Sequence, residues 1–427
     1  MEIERLYSFY LESRQVSTDT RKIIPGSMFF ALKGDKFNAN EFAQEALTQG
    51  ARYAVVDDAA YQLNDQCLLV SDVLQTLQQL AAYHRTKLNI PVIGLTGSNG
   101  KTTSKELINA VLAKRFNTYA TKGNLNNHIG VPLTLLAIGP TVNIAVIEMG
   151  ANHVGEIALL CSIANPTHGL ITNIGKAHIG TFGGYENIIK AKSELYEHLI
   201  ANNGTVFINS GNEILANLGL RFKEFVSYPL HGDYYKCELI GADPFVTVKA
   251  ENGDVVASNL VGTYNFENIA AALCIGKFFD VTETDANEAV SRYTPSNMRS
   301  QLVHKNGNTV ILDAYNANPS SMKAAIENMA AMKANNKVLI LGDMFELEEE
   351  AETEHRAIGK MLNALPFKKI LLCGKLMKWA KEEYPSAQLF ETKGELIQEL
   401  KSHPLTDATI LVKASRGIGL ETIVEFI

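Results

Sequence analysis

The stretch Val92-Ile93-Gly94-Leu95-Thr96-Gly97-Ser98-Asn99-Gly100-Lys101-Thr102-Thr103 governs how the rest of the chain is read. Its first five residues form an apolar run of strand length, and the residues from Lys101 to Lys114 carry a helical pattern. A glycine-rich turn between strand and helix lets backbone N–H groups close round a phosphate, and the helix N-terminus adds a favourable dipole. Lys101 is placed for β- and γ-phosphates, and the Thr102 hydroxyl for Mg2+. The general phosphate-loop pattern has Gly six residues before the lysine; Leu95 stands there, so the loop is a variant. Thr96, Gly97, Ser98, Asn99, Gly100, Lys101, Thr102 and Thr103 are therefore the candidate nucleotide-binding residues. The competing reading is a glycine-rich turn that merely precedes a lysine.

Downstream, Asn143–Glu148 and His168–Ile174 read as two more buried strands, each followed by a polar loop containing glycine. Strands alternating with helices predict a parallel sheet whose ligands sit at the strand C-termini. Glu148 ends its strand and would face the phosphate loop, where a carboxylate can hold Mg2+. His178 follows its strand and could reach the same edge, although a lone histidine is more often a surface residue. Lys192, on a predicted helix over 187–199, reads by itself as a solvated lysine. The segment around Cys237–Leu260, with its Asn252-Gly253 turn, predicts an antiparallel ribbon.

Pattern changes divide the 427 residues into three blocks, 1–83, 84–302 and 303–427. The first contains a strand near Ser27–Leu32, a helix over 40–49, a strand Tyr53–Val56 and a helix over 73–87. The third is a second α/β unit with strands Thr309–Ala314, Lys337–Leu341, Lys369–Cys373 and Thr409–Lys413. Within it, Asp313-Ala314-Tyr315-Asn316-Ala317-Asn318-Pro319-Ser320-Ser321 follows a strand and opens a helix, and suits a polar or anionic ligand. Lys413-Ala414-Ser415-Arg416-Gly417 is a basic strand-end loop suited to a carboxylate or phosphate.

Hydrophobic residues at 46% and charged residues at 20% exclude a disordered or fibrous chain. Lys+Arg 39 against Asp+Glu 46 gives a net charge of −7, so nucleic acid and anionic membrane find no global attraction and a phosphate must be held locally. Five scattered cysteines (Cys67, Cys161, Cys237, Cys274, Cys373) form no C-x-x-C pair and suit a reducing compartment. The N-terminus MEIERLYSFYLES lacks a basic start and an apolar core of signal-peptide type, and no apolar run reaches membrane-spanning length. A cytoplasmic protein is the expectation.

Taken together, several blocks resemble the Mur ligases, the ATP-dependent amide-forming enzymes of peptidoglycan precursor synthesis. They are the T-G-x-N-G-K-T-T loop, Asn124–Pro132, Glu148-Met149-Gly150-Ala151-Asn152-His153, Gly175-Lys176-Ala177-His178, Gly262–Ala271, Arg299 and Asp313–Ser321. The family's own loop lacks the early glycine, so Leu95 agrees with the resemblance. Ala314-Tyr315-Asn316-Ala317-Asn318-Pro319 and Leu341-Gly342-Asp343-Met344-Phe345-Glu346-Leu347 point to the member that adds D-Ala-D-Ala. The Asp-Asn-Pro-Arg motif of the diaminopimelate-adding member is not found.

The resemblance implies three domains: a small α/β UDP-binding domain, a central phosphate-loop ATPase domain with a parallel sheet, and a C-terminal Rossmann-like α/β domain. It implies ATP and Mg2+ as cofactors, UDP-N-acetylmuramoyl-tripeptide and D-Ala-D-Ala as partners, and a monomer. Lys101, Lys192, His178 and Arg299 would be catalytic, and Thr102, Glu148, His178 and Lys192 metal ligands, with Lys192 as N6-carboxylysine. Asn268 would contact adenine, Asp313 the ribose and Arg299 the transferring phosphate. Thr20, Arg21, Ser27, Asn127, Asn316, Asn318 and Ser415 would contact substrates. The first block shows the resemblance through Ser17–Arg21 and Ser27–Lys33, but reads Phe37-Asn38-Ala39-Asn40 where the family usually has Asp-Gly-His. The alternatives are a folylpolyglutamate synthetase-like ligase of the same superfamily and a non-ligase nucleotide-binding module.

Overall fold

The computed structural model describes residues 1–13 and 15–427. Its N-terminal part carries a four-stranded parallel sheet in the order Val16–Ser17, Met28–Phe30, Tyr53–Val56, Cys67–Leu69. The helix expected over 40–49 starts as a tight turn at Ala39–Phe42 and becomes α-helical only at Ala43–Thr48. Asn38 explains the delay: its Oδ1 accepts from the Asn40 backbone N–H at 3.1 Å and from Asn40 Nδ2 at 2.8 Å. Such local side-chain bonds compete with helical ones.

The helix Val73–Lys87, capped by Asp72 on the Gln75 N–H at 2.6 Å, leaves this sheet and packs on the helices Gly130–Leu136 and Glu156–Ala164. Arg85 fastens its far end, donating from Nε to Ala164 O at 2.9 Å and from Nη2 to Asn165 O at 3.1 Å. Residue 83 therefore lies inside a continuous helix that joins the first block to the second.

The central sheet has six parallel strands in the order Val226–Tyr228, Thr205–Asn209, His168–Ile171, Val92–Thr96, Ile144–Glu148, Thr118–Ala120. The chain moves outward on one side of Val92–Thr96 and then crosses to the other, so the loop after that strand sits where the winding reverses. Every residue of Val92–Thr96 and Ile144–Glu148 is buried, as a sheet covered on both faces requires. Leu107, Ile108 and Val111 of the helix Lys101–Leu112 pack with Ile269 and Leu273 over one face. Leu160, Leu195 and Leu199 cover the other.

The strand expected to run to Ile174 stops at Ile171. Thr172 and Asn173 turn instead to bond the phosphate loop: Thr172 Oγ1 donates to Asn99 O at 2.6 Å, and Asn173 Oδ1 accepts from the Asn99 N–H at 3.0 Å. Beyond this sheet, Glu238–Ala242, Phe245–Lys249 and Val255–Val261 form a three-stranded antiparallel ribbon, with Gly253 at φ 92° in its turn.

The C-terminal sheet runs Gln301–Lys305, Asn308–Asp313, Thr409–Lys413, Lys337–Gly342, Lys369–Cys373, Gln388–Phe390, with only the first pair antiparallel. Residue 302 falls within its first strand, so that hairpin belongs with the third block. Among the described residues no helix is long and apolar enough to cross a membrane.

Candidate active site

The phosphate loop shows why two of its residues must be glycine. Gly97 (φ 146°) and Gly100 (φ 77°) adopt backbone conformations that side chains resist. A Cβ on Gly97 would collide with Thr172 Oγ1, and one on Gly100 would lie 2.6 Å from Asn268 Oδ1. Ser98 Oγ donates to Gly175 O and accepts from the Gly175 N–H, both at 2.9 Å, tying the loop to the next strand's end. Lys101 Nζ turns back on its own loop, donating to Gly97 O at 2.7 Å and Ser98 O at 3.3 Å. Burial, with Arg299 adding repulsion and Glu148 opposing, pushes the Lys101 amine down to about 8.

Glu148, as its place at a strand end predicts, meets the helix that follows the loop. Thr102 Oγ1 donates to its carboxylate at 3.2 and 3.0 Å, and Asn126 Nδ2 donates to Oε1 at 2.8 Å. Lys105 Nζ stands 3.9 Å from Oε2, itself fully buried. Asn126 and Lys105 escaped the sequence reading. Lys105 lies one helical turn beyond Lys101, a spacing that points its side chain at the same edge.

Lys192 is 2% exposed. Its Nζ has one hydrogen bond, to Ala151 O at 3.4 Å, and lies 5.3 Å from the Phe182 ring. Burial first, and Lys101 second, push the amine down to about 7 against the pull of Glu156 and Glu194. His178 lines the same cleft at φ 56°, its Nδ1 2.6 Å from Glu346 Oε2. Beside it the Glu346 carboxyl is held below the usual carboxylate range. No group of three or more His, Cys, Asp or Glu forms a metal cage among the described residues. The oxygens at the loop are instead a pair, Thr102 with Glu148.

From the C-terminal sheet, Asp313 Oδ2 accepts from Lys413 Nζ at 2.5 Å and Oδ1 from the Ser300 N–H at 3.2 Å. Arg299 lays its guanidinium carbon 3.8 Å from the Tyr315 ring centroid, with its Nε buried and unpartnered among the described residues. Tyr315 and Lys413 are further site residues whose parts in it depend on contacts that spacing does not reveal. Asn268 stands beneath Gly100, its Oδ1 accepting from Ser104 Oγ and its Nδ2 donating to Asn265 Oδ1, both at 2.8 Å. Asn318 caps the helix Pro319–Ala331 and crosses to the loop, donating from Nδ2 to Asn99 Oδ1 at 2.8 Å.

A cleft of about 610 Å³ results, lined from both large sheets by Lys101, Glu148, Arg299, Asp313, Asn316 and Asn318 among others. Asn127 also lines it, while its Oδ1 accepts from the Ile129 and Gly130 N–H groups at 3.1 and 2.9 Å. Ser415 lies just behind, 2% exposed, its hydroxyl bridging Ala317 O and the Phe345 N–H. Thr20, Arg21 and Ser27 are not among the residues lining this cleft. Arg21 pairs with Asp19 at the surface, and Ser27 Oγ is buried without a partner among the described residues.

Family models give this geometry a context. The Mur ligase middle domain matches residues 95–276, and the Mur ligase glutamate ligase domain matches residues 298–416. The UDP-N-acetylmuramoyl-tripeptide–D-alanyl-D-alanine ligase of Bacillus subtilis (strain 168) is 36% identical over 424 residues, covering 96% of this chain and 92% of that one. The crystal structure of MurF from Acinetobacter baumannii superposes with a TM-score of 0.86 at 32% identity, covering 96% of this chain and 92% of the other. MurF ligase from Thermotoga maritima, solved in complex with ADP, gives a TM-score of 0.85 at 26% identity, with 97% of each chain covered. Two matched domains in the right order, and relatives alike from end to end, make the chain a member of the Mur ligase family.

Proposed function

We infer that this chain joins D-alanyl-D-alanine to UDP-N-acetylmuramoyl-tripeptide at the expense of ATP, a step in peptidoglycan precursor synthesis. The observation that carries the reading is end-to-end likeness to ligases of that name, together with a cleft built round a phosphate loop. The tripeptide's terminal carboxylate is a poor electrophile. One of its oxygens attacks the γ-phosphorus of ATP, forming an O–P bond as the bond to the bridging oxygen breaks and ADP leaves. The dipeptide's neutral amine then attacks the acyl carbon, the C–O bond to phosphate breaks as the nitrogen gives up a proton to the departing phosphate or solvent, and an amide and phosphate remain.

Positioning and charge neutralisation are the protein's part in this chemistry. Gly97, Ser98, Asn99 and Gly100 would cradle phosphates with their N–H groups, flanked by Thr96 and Thr103. Lys101 would leave the Gly97 and Ser98 carbonyls for the β- and γ-phosphates, an exchange that favours its charged form. Arg299, whose Nε has no partner among the described residues, would meet the transferring phosphate. Asn268 would reach adenine and Asp313 the ribose. Thr20, Arg21 and Ser27 would serve the uridine end, and Asn127, Asn316, Asn318 and Ser415 the peptide end.

A buried carboxylate beside a hydroxyl at the head of the loop helix fits Mg2+, which takes hard oxygens. Thr102 and Glu148 would hold it, and bound Mg2+ would offset repulsion between carboxylate and phosphate. His178 and Lys192 would hold a second ion. Lys192 fits N6-carboxylysine because an amine pushed down to about 7 is largely neutral above that pH and open to CO₂.

Three domains would divide the work, one each for the UDP-sugar, ATP and the dipeptide. The end of the helix at Lys87 and the start of the strand at Gln301 are the natural boundaries. The five buried free cysteines suit the cytoplasm. Phosphate release from purified protein should require ATP, UDP-N-acetylmuramoyl-tripeptide and D-Ala-D-Ala together. Release that ignores the dipeptide would reject the acceptor.

A further inference from the structure

Two guanidinium groups share one aromatic ring. Arg299 Cζ lies 3.8 Å from the Tyr315 centroid and Arg416 Cζ 5.1 Å from it. Arginines repel one another, so holding two on a single ring takes the attraction of its π-electrons, and an anion between or beside them relieves what repulsion is left. Tyr315 lines the cleft; Arg416 stands at the margin on the loop after Thr409–Lys413, a strand inserted between Asn308–Asp313 and Lys337–Gly342. Loops beyond the carboxyl ends of such strands are where open α/β sheets bind ligands. Among the described residues Arg416 makes no ion pair with a carboxylate of the chain, whereas Lys413, three residues earlier, is paired with Asp313.

We propose that Arg416 binds the C-terminal carboxylate of the acceptor dipeptide, and that Tyr315 is the positioning residue that sets its distance from Arg299. The proposal rests on the function inferred above. Arg299 faces the phosphate on the activated acyl group, so the attacking nitrogen lies a few ångströms from that guanidinium. The two ring distances put the guanidinium carbons no more than about 9 Å apart, an upper limit that an extended dipeptide of roughly 7 Å can bridge from a nitrogen held near Arg299. Arg416 supplies the planar fork that carboxylates bind best.

Steady-state kinetics with ATP and UDP-N-acetylmuramoyl-tripeptide test this against D-Ala-D-Ala and its C-terminal amide. The unaltered enzyme should prefer the acid. Arg416→Gln should raise the KM for the acid by about ten- to a hundred-fold, the loss expected for a charge-assisted hydrogen bond. The KM for ATP should stay unchanged, and far-UV circular dichroism with the unfolding temperature checks the fold. Tyr315→Phe, which keeps the ring, should retain the preference, and Tyr315→Leu should lose it and lower kcat as well. An Arg416→Gln enzyme that still prefers acid to amide as strongly as before overturns the proposal. Failure of the unaltered enzyme to use either acceptor is a different result, and overturns the function reading on which the proposal stands.

Discussion

The two large parallel sheets deliver their strand-end loops to one cleft, but they arrive in different states. On the central sheet most groups round the phosphate loop are already satisfied: Thr172, Asn173 and Gly175 hold the loop and Glu148 has Thr102 and Asn126, with Thr96 Oγ1 an exception that finds no partner among the described residues. On the C-terminal sheet Asp313 and Lys413 pair, while Arg299 keeps an unpartnered Nε and Arg416 leans on a ring. The contrast separates a prebuilt nest for one anion from a set of cations awaiting others. Pre-organisation belongs where the same phosphates must be held each turnover, and open valence where substrate completes the site.

Four further substitutions would break or sharpen that comparison. Lys101→Ala should cost about 10³-fold or more in kcat/KM, since it removes the loop's cation, while thermal unfolding stays near that of the parent. Near-normal turnover would take the loop out of the mechanism. Glu148→Ala should lower kcat by about 10²- to 10³-fold and raise the Mg2+ concentration at half-maximal rate. An unchanged Mg2+ titration would deny that carboxylate its metal role.

In CO₂-free buffer, where the Lys192 amine is unmodified, Lys192→Met tests burial on the central side through pH. The native amine sits at about 7 against 10.5 when free, so between those values the unfolded chain binds more protons and stability rises with pH. Below about 7 both forms are charged and the cost of burying that charge is fully felt. The Met variant should lose the part of the pH 7–10 slope owed to Lys192 in urea unfolding, leaving the weaker rise from Lys101 above about 8 set against a fall from buried thiols such as Cys161, Cys237 and Cys373, whose burial raises them to about 12. A slope equal to the parent's would contradict the buried amine. Smallest of all, Lys176→Ala removes a half-exposed pair with Glu354 that links the two domains. It should cost ~1 kcal/mol or less, fading at high salt.

Local signals explain what the sequence revealed. The loop was legible because glycine conformations, a preceding apolar strand and a following helix all fall within a dozen residues. Glu148 was legible only because the phosphate loop stands beside its strand; alone, a glutamate ending a strand reads as a solvent-facing one. Asn126, Lys105 and Tyr315 were not, because their roles arise from contacts with residues far along the chain. Asn127 and Ser415 show the converse. The first sits in a block that resembles a family motif and the second in the basic strand-end loop, yet the Oδ1 of the first caps a helix and the hydroxyl of the second braces a loop. The short edge strands Gln301–Lys305 and Gln388–Phe390 went unread, although Asn306-Gly307, both at positive φ, is a hairpin signal.

The central claim is that the loop at Lys101 activates a carboxylate by phosphoryl transfer. Tripeptide labelled with ¹⁸O in its terminal carboxylate tests it most directly, with phosphate collected after turnover on D-Ala-D-Ala. One labelled oxygen per phosphate is the expected result, because the acyl C–O bond breaks and its oxygen departs with phosphorus. Phosphate free of label would show that the carboxylate never bonded to phosphorus, and the account would fall.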